Sequence, residues 1–171
     1  MAKSSVYFKI ALILTLVAVI LHAVGFSTPN WIILSYEGAI GHRTGLWQSC
    51  MDLLGVAVCE ESAFKGQGWF IVVQVLGTLG LACIVISLLI SIALLLSVDS
   101  SGLVKANRGI SSIGGSFIGI GITIFVIKAL SDLSGLAVHI GYSYWLSFAS
   151  MIDLCIVSVL LLCDKRQRGV Q

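Results

Sequence analysis

Charged and polar residues divide this chain into four long apolar stretches, separated by one long polar gap and two shorter ones. Residues 8–27, 68–98, 110–130 and 144–163 carry at most one charge each. About 20 apolar residues, rising about 1.5 Å each, cross the roughly 30 Å hydrocarbon core of a bilayer, so each stretch predicts a transmembrane helix. The second is longer than needed and must tilt, kink or project. Lys3 and Lys9 give the first stretch some likeness to a signal peptide. Its apolar run is long for one, however, so a retained helix is expected. The prediction is a single four-span domain over 1–171, with outer segments 28–67 and 131–143 and a link at 99–109. Within the first outer segment, Trp31–Tyr36 and Val56–Cys59 are rich in β-branched and aromatic residues and are broken by turn formers at Gly38, Gly41 and Gly55. That pattern predicts a small antiparallel sheet at the ends of the helices.

Composition agrees with a membrane protein. Only 11% of residues are charged, against about a quarter in soluble domains. The charges then orient the chain. Lys3 and Lys9, Lys105 and Arg108, and Lys165, Arg166 and Arg168 fall at the two ends and in the 99–109 link. The positive-inside rule puts these segments in the cytosol and the 28–67 segment outside. The net charge of +2 is thus a topology signal, and no nucleic-acid partner is implied.

So small a sheet buries little apolar surface and is marginal alone. Cys50 and Cys59 are the only cysteines on the outer side, where disulfides persist. Closing that loop would contribute on the order of 2–3 kcal/mol; two free thiols are the bland alternative. Cys83 and Cys155 read as small apolar packers. Cys163 ends the last helix directly before a basic tail and is a candidate for palmitoylation.

The third helix carries a GxxxG pair, Gly115 and Gly119, whose small size lets backbones approach closely. The expected use is packing within the bundle, against Gly77 and Gly80 of the second helix, with a dimer seam as the alternative. Asp153 lies mid-helix in the fourth span, where an unpaired carboxylate is costly. A polar cluster of His22, Gln74 and Asp153 in the outer half of the bundle is therefore expected, with Lys128 a more distant candidate. Its plain role is to fix helix register; its sharper one is a protonatable gate or lipid-headgroup site. No catalytic motif appears. His22, His42 and His139 are scattered, so no enzyme activity, metal or cofactor is predicted.

Trp31, then Gly45-Leu46-Trp47, two residues, Cys50, and then Cys59 resemble the W…GLW-x-x-C…C signature of the claudin, peripheral myelin protein and epithelial membrane protein superfamily. Gly141-Tyr142-Ser143-Tyr144-Trp145-Leu146 is similar to the myelin and epithelial branch. The resemblance implies a left-handed four-helix transmembrane bundle carrying a small extracellular antiparallel sheet, with Cys50 and Cys59 disulfide-bonded. It also implies that Trp31, Gly45, Leu46 and Trp47 anchor the sheet to the bundle, and that copies associate with one another or with other claudin-like proteins, in one membrane and across two. Claudins polymerise into tight-junction strands that seal or selectively conduct between epithelial cells, so the resemblance implies a plasma-membrane location at cell–cell contacts.

Several features depart from claudins. The first outer segment is short, the second lacks a Pro-containing turn, and no double cysteine follows the second helix. The tail ends Gly169-Val170-Gln171, so attachment to a PDZ scaffold is not expected. Glu37, Asp52, Glu60 and Glu61 face Arg43 and Lys65 in the outer loop. Rings of acids favour cations, which makes Asp52, Glu60 and Glu61 the candidate pore-lining residues of a cation-preferring paracellular path. The alternative is a non-junctional partner of another membrane protein.

Overall fold

A computed structural model describes residues 6–36, 40–53, 56–96, 101–134 and 138–168. Glu37, Lys3 and the Gly169-Val170-Gln171 tail lie outside them. Helix α1 (Val6–Ser27) is followed by strands β1 (Ile32–Tyr36), β2 (Ile40–Thr44), β3 (Gln48–Leu53) and β4 (Val56–Glu61). Helices α2 (Gly68–Leu96) and α3 (Ser101–Asp132), a short strand β5 (Val138–Ile140) and helix α4 (Tyr142–Arg168) complete the chain. Four of these helices are long and apolar enough to cross a membrane.

Two boundaries differ from the sequence expectation. Helix α3 begins at Ser101, so Lys105 and Arg108, expected in a 99–109 link, lie on its first turns. Lys and Arg are good helix formers, and hydropathy marks where a helix leaves hydrocarbon, not where its hydrogen bonds stop. The helix is about 48 Å long at about 1.5 Å per residue, well beyond a bilayer core. The second outer segment, 131–143, for which no strand was expected, supplies strand β5.

Each helix buries positions that step alternately by three and four residues. In α1 these include Ala11, Thr15, Ala18, His22 and Gly25, and in α2 Val73, Gly77, Gly80, Ile84 and Ser87. In α4 Ser143, Ser147, Ser150, Leu154 and Val157 follow the same rule. An alternating step of three and four keeps one seam against a neighbour along the helix. Small residues recur on the seam, where Ala18, Gly25, Gly80 and Ser150 face inward between larger ones such as Ile84 and Leu154, while Ile13, Leu89 and Val159 are exposed on the outer faces.

Helix α1 packs on α4, α4 on α3 and α3 on α2. At the α1–α4 seam a Cβ on Gly25 would lie 2.6 Å from the Ser143 carbonyl oxygen. Between α2 and α3, a Cβ on Gly80 would meet Ile118 at 2.6 Å, with the Gly114 carbonyl oxygen also close, at 3.4 Å. Gly115 and Gly119 face α4, where their Cβ atoms would meet Leu154 at 3.3 Å and Met151 at 2.9 Å. The GxxxG pair is therefore used within the bundle, but against α4 and not against Gly77 and Gly80. Gly77 instead gives room to the Phe26 ring.

A buried polar network ties the other end of the α2–α3 pair. Ser87 Oγ donates to Asn107 Oδ1 at 2.7 Å and lies 2.7 Å from Ser111 Oγ, and Asn107 Nδ2 donates to Ser91 Oγ at 2.8 Å. Every member has a partner, which is what makes a polar group tolerable in an apolar interior. The sequence signal was present in the spacing of Ser87 with Ser91 and of Asn107 with Ser111.

Candidate functional site: the outer sheet and its anchor

The strands form one antiparallel sheet in the order β4-β3-β2-β1-β5. Strand β1 pairs on one side with β2 and on the other with β5, so both outer segments share the sheet. The expected sheet is present, but larger than Trp31–Tyr36 and Val56–Cys59 indicated. Strand β2 contains Gly41, a poor β former, which pairs with β1, and His42 and Arg43, which pair with β1 on one side and β3 on the other. Cys50 and Cys59 sit directly opposite one another on β3 and β4 and are joined by a disulfide.

Trp31 is the anchor. It is 2% exposed, and its indole N–H donates to the Gly25 carbonyl at 2.8 Å. That carbonyl belongs to the last turn of α1, where the helix itself offers no partner. The ring packs edge-on against Phe125 of α3, centroids 4.8 Å apart, and beside Tyr144 of α4. Its own carbonyl accepts from Gly141 N–H at 2.9 Å, and the Asn30 carbonyl accepts from Ser143 N–H at 3.1 Å, satisfying an orphan donor in the first turn of α4. One short segment thus caps two helices and starts the sheet.

Gly45, Leu46 and Trp47 turn β2 into β3. A Cβ on Gly45 would lie 2.5 Å from Pro29 Cα, so only glycine lets the turn approach the exit of α1. Leu46 is 1% exposed, and its carbonyl accepts from Gln74 Nε2 at 2.7 Å, fastening the turn to α2. Trp47 behaves differently. It is 48% exposed, with its ring edge-on to Phe26 at 5.2 Å. Of the four expected anchor residues, Trp31, Gly45 and Leu46 are buried and Trp47 stands at the surface.

The expected His22–Gln74–Asp153 cluster does not form. His22 Nε2 donates to the Gly77 carbonyl at 3.1 Å, Gln74 is committed to Leu46, and Asp153 makes no hydrogen bond or ion pair among the described residues. The reason is helix phase. Asp153 precedes the seam residue Leu154 by one position, about 100° around α4, and lies half-buried on the flank. Lys128 is exposed on α3. Cys83 is half-buried against Gly114, whereas Cys155 is exposed and not the packing residue its composition implied. Cys163 is exposed near the end of α4.

The outer acids are unequal. Asp52 takes both its carboxylate oxygens to Arg43 Nη2, at 2.9 and 2.7 Å. Glu61 pairs with Lys65. Glu60, on an edge strand exposed along its whole length, has no partner among the described residues. His42, Met51, Val58 and Glu60 help line a cleft of about 230 Å³ on the sheet. The Arg43–Asp52 pair is about two-fifths exposed, and such pairs contribute little. A double-mutant cycle with Arg43→Ala and Asp52→Ala is expected to give a coupling of about 0.2–1 kcal/mol from denaturant titrations. A coupling well above that would mean the pair is shielded from water.

Comparison of the chain with protein-family models and with curated proteins finds no match to either.

Proposed function

We propose that this chain is a claudin-like cell–cell contact protein of the plasma membrane that forms or modulates a paracellular barrier or a cation-preferring pore. In this reading the four helices cross the bilayer as a left-handed bundle with both termini cytosolic, and the sheet lies outside. The alternating three–four step of the buried positions supports that handedness. The observation that carries the reading is the disulfide-tied sheet held to the helix ends through Trp31, Gly45 and Leu46. A rigid outer platform on a four-helix stem suits contact with another copy in the same or a facing membrane. No chemical step belongs to this function, and attachment to a PDZ scaffold is not part of it.

Freeze-fracture of cells that lack junction strands and express only this chain tests the proposal. Continuous intramembrane strands at contacts support it. Scattered particles favour the second reading, a non-junctional partner such as a channel auxiliary subunit or an adhesion or trafficking regulator. The internal neutralisation of Asp52 and Glu61 favours that second reading, because of the three candidate pore-lining acids it leaves Glu60 without a counter-charge among the described residues. For a cation-preferring path, Glu60→Gln is expected to reduce the sodium-over-chloride preference of expressing monolayers, read as a dilution potential. An unchanged potential would remove Glu60 from the path.

A further inference from the structure

We propose that a cleft between the outer sheet and the first turns of α2 binds the phosphocholine headgroup of a membrane lipid. The inference is independent of whether copies assemble at cell contacts. The cleft, about 440 Å³, is lined by Trp47, Glu61, Lys65, Phe70, Ile71 and Gln74, among others. It lies where the polar outer segment meets an apolar helix face. Ile71, Val72 and Val75 of α2 are all about half exposed and offer a surface along which acyl chains lie.

Three observations select the headgroup. The first is Trp47, which unlike Trp31, Gly45 and Leu46 is left at the surface. Phe26 supports its ring, and aromatic rings are favoured partners of quaternary ammonium groups. The second is the Glu61–Lys65 pair on one rim, a carboxylate for the ammonium and an ammonium for the phosphate. Their charges cancel, so the cleft matches a zwitterion and offers no net attraction to an anionic lipid. The third is Gln74. One N–H of its Nε2 is committed to Leu46, which leaves the second to donate to a phosphate oxygen. Phosphoethanolamine shares the charges, but its small, strongly hydrated ammonium is a poorer partner for an indole than the trimethylated group.

The test is native mass spectrometry of the full chain released from micelles containing equimolar POPC, POPE and POPG. A second sample contains free phosphocholine in place of lipid. The expected result is a POPC adduct exceeding the other two. Trp47→Ala and Glu61→Gln should each lower it about tenfold, and Trp47→Phe, which keeps an aromatic face, should lower it less. Equal retention of the three lipids, or enrichment of POPG, overturns the proposal. So do variants that retain POPC as the wild type does, or an adduct with free phosphocholine and no preference for POPC. The wild-type lipid preference needs no variant, so it remains decisive if a substitution impairs folding. Folding of each variant is checked by retention of the Cys50–Cys59 disulfide and by a single size-exclusion peak.

Discussion

Trp31→Ala is expected to destabilise the protein by about 3–5 kcal/mol, the range for emptying a buried aromatic site. Beyond the lost ring, the change removes the only partner shown for the Gly25 carbonyl at the end of α1 and withdraws a surface from Phe125 and Tyr144. An unsatisfied buried carbonyl adds about 1–3 kcal/mol by itself. Unfolding from mixed micelles by added SDS, followed by near-UV circular dichroism, reads the loss directly. Trp31→Phe separates the two contributions, since it keeps most of the ring packing and deletes the indole N–H. If Trp31→Phe were as damaging as Trp31→Ala, the hydrogen bond would be the anchor and the packing secondary. If both were tolerated, the sheet would be held elsewhere.

Gly141→Val should be of similar severity, at about 3 kcal/mol or more. A Cβ at this position would stand 2.1 Å from the Asn30 carbonyl oxygen and 2.8 Å from its carbon, and both are backbone atoms that no rotamer change can move. Relief requires separating the two chain segments, which breaks the bonds from Gly141 N–H to Trp31 and from Ser143 N–H to Asn30. The same unfolding assay checks it, and amide exchange should quicken across β5. Gly109→Ala is the matched control. A Cβ there meets nothing within 4 Å, and the helix gains by up to about 1 kcal/mol from losing a glycine. A Gly141→Val protein as stable as the wild type would mean the two outer segments are not locked together as described.

The sequence was most legible where one residue type has one physical use. Apolar length marked the four helices, and two cysteines on one side of the chain marked the crosslink. Trp31 and Trp47 show the limit, because the same side chain is buried in one place and exposed in the other. What separates them is the path of the turn at Gly45 past Pro29, a tertiary fact. Strand β5 was illegible for a related reason. Val138–Ile140 is too short to pair alone and is a strand because β1 offers it an edge. The expected Asp153 cluster failed on phase. Depth along a helix can be counted from its end, but direction cannot be when both faces are apolar. The Ser87–Asn107 network was missed because hydropathy started the third helix at 110, past Asn107.

The seam of small residues bears on how such a chain can change over time. Its outward positions ask only for an oily side chain, so Leu, Ile, Val and Phe can replace one another there with little consequence. Its closest inward contacts need Gly or Ser at a fixed step, and a single inserted or deleted residue turns everything beyond it by about 100°. That turn would bring a bulky side chain to face a neighbour where Gly25 or Gly80 now stands. Substitution on the outside is therefore cheap, while the lengths of the helices are nearly frozen. Diverged copies of this fold should keep the count of residues between their glycines and serines long after their lipid-facing letters have been rewritten.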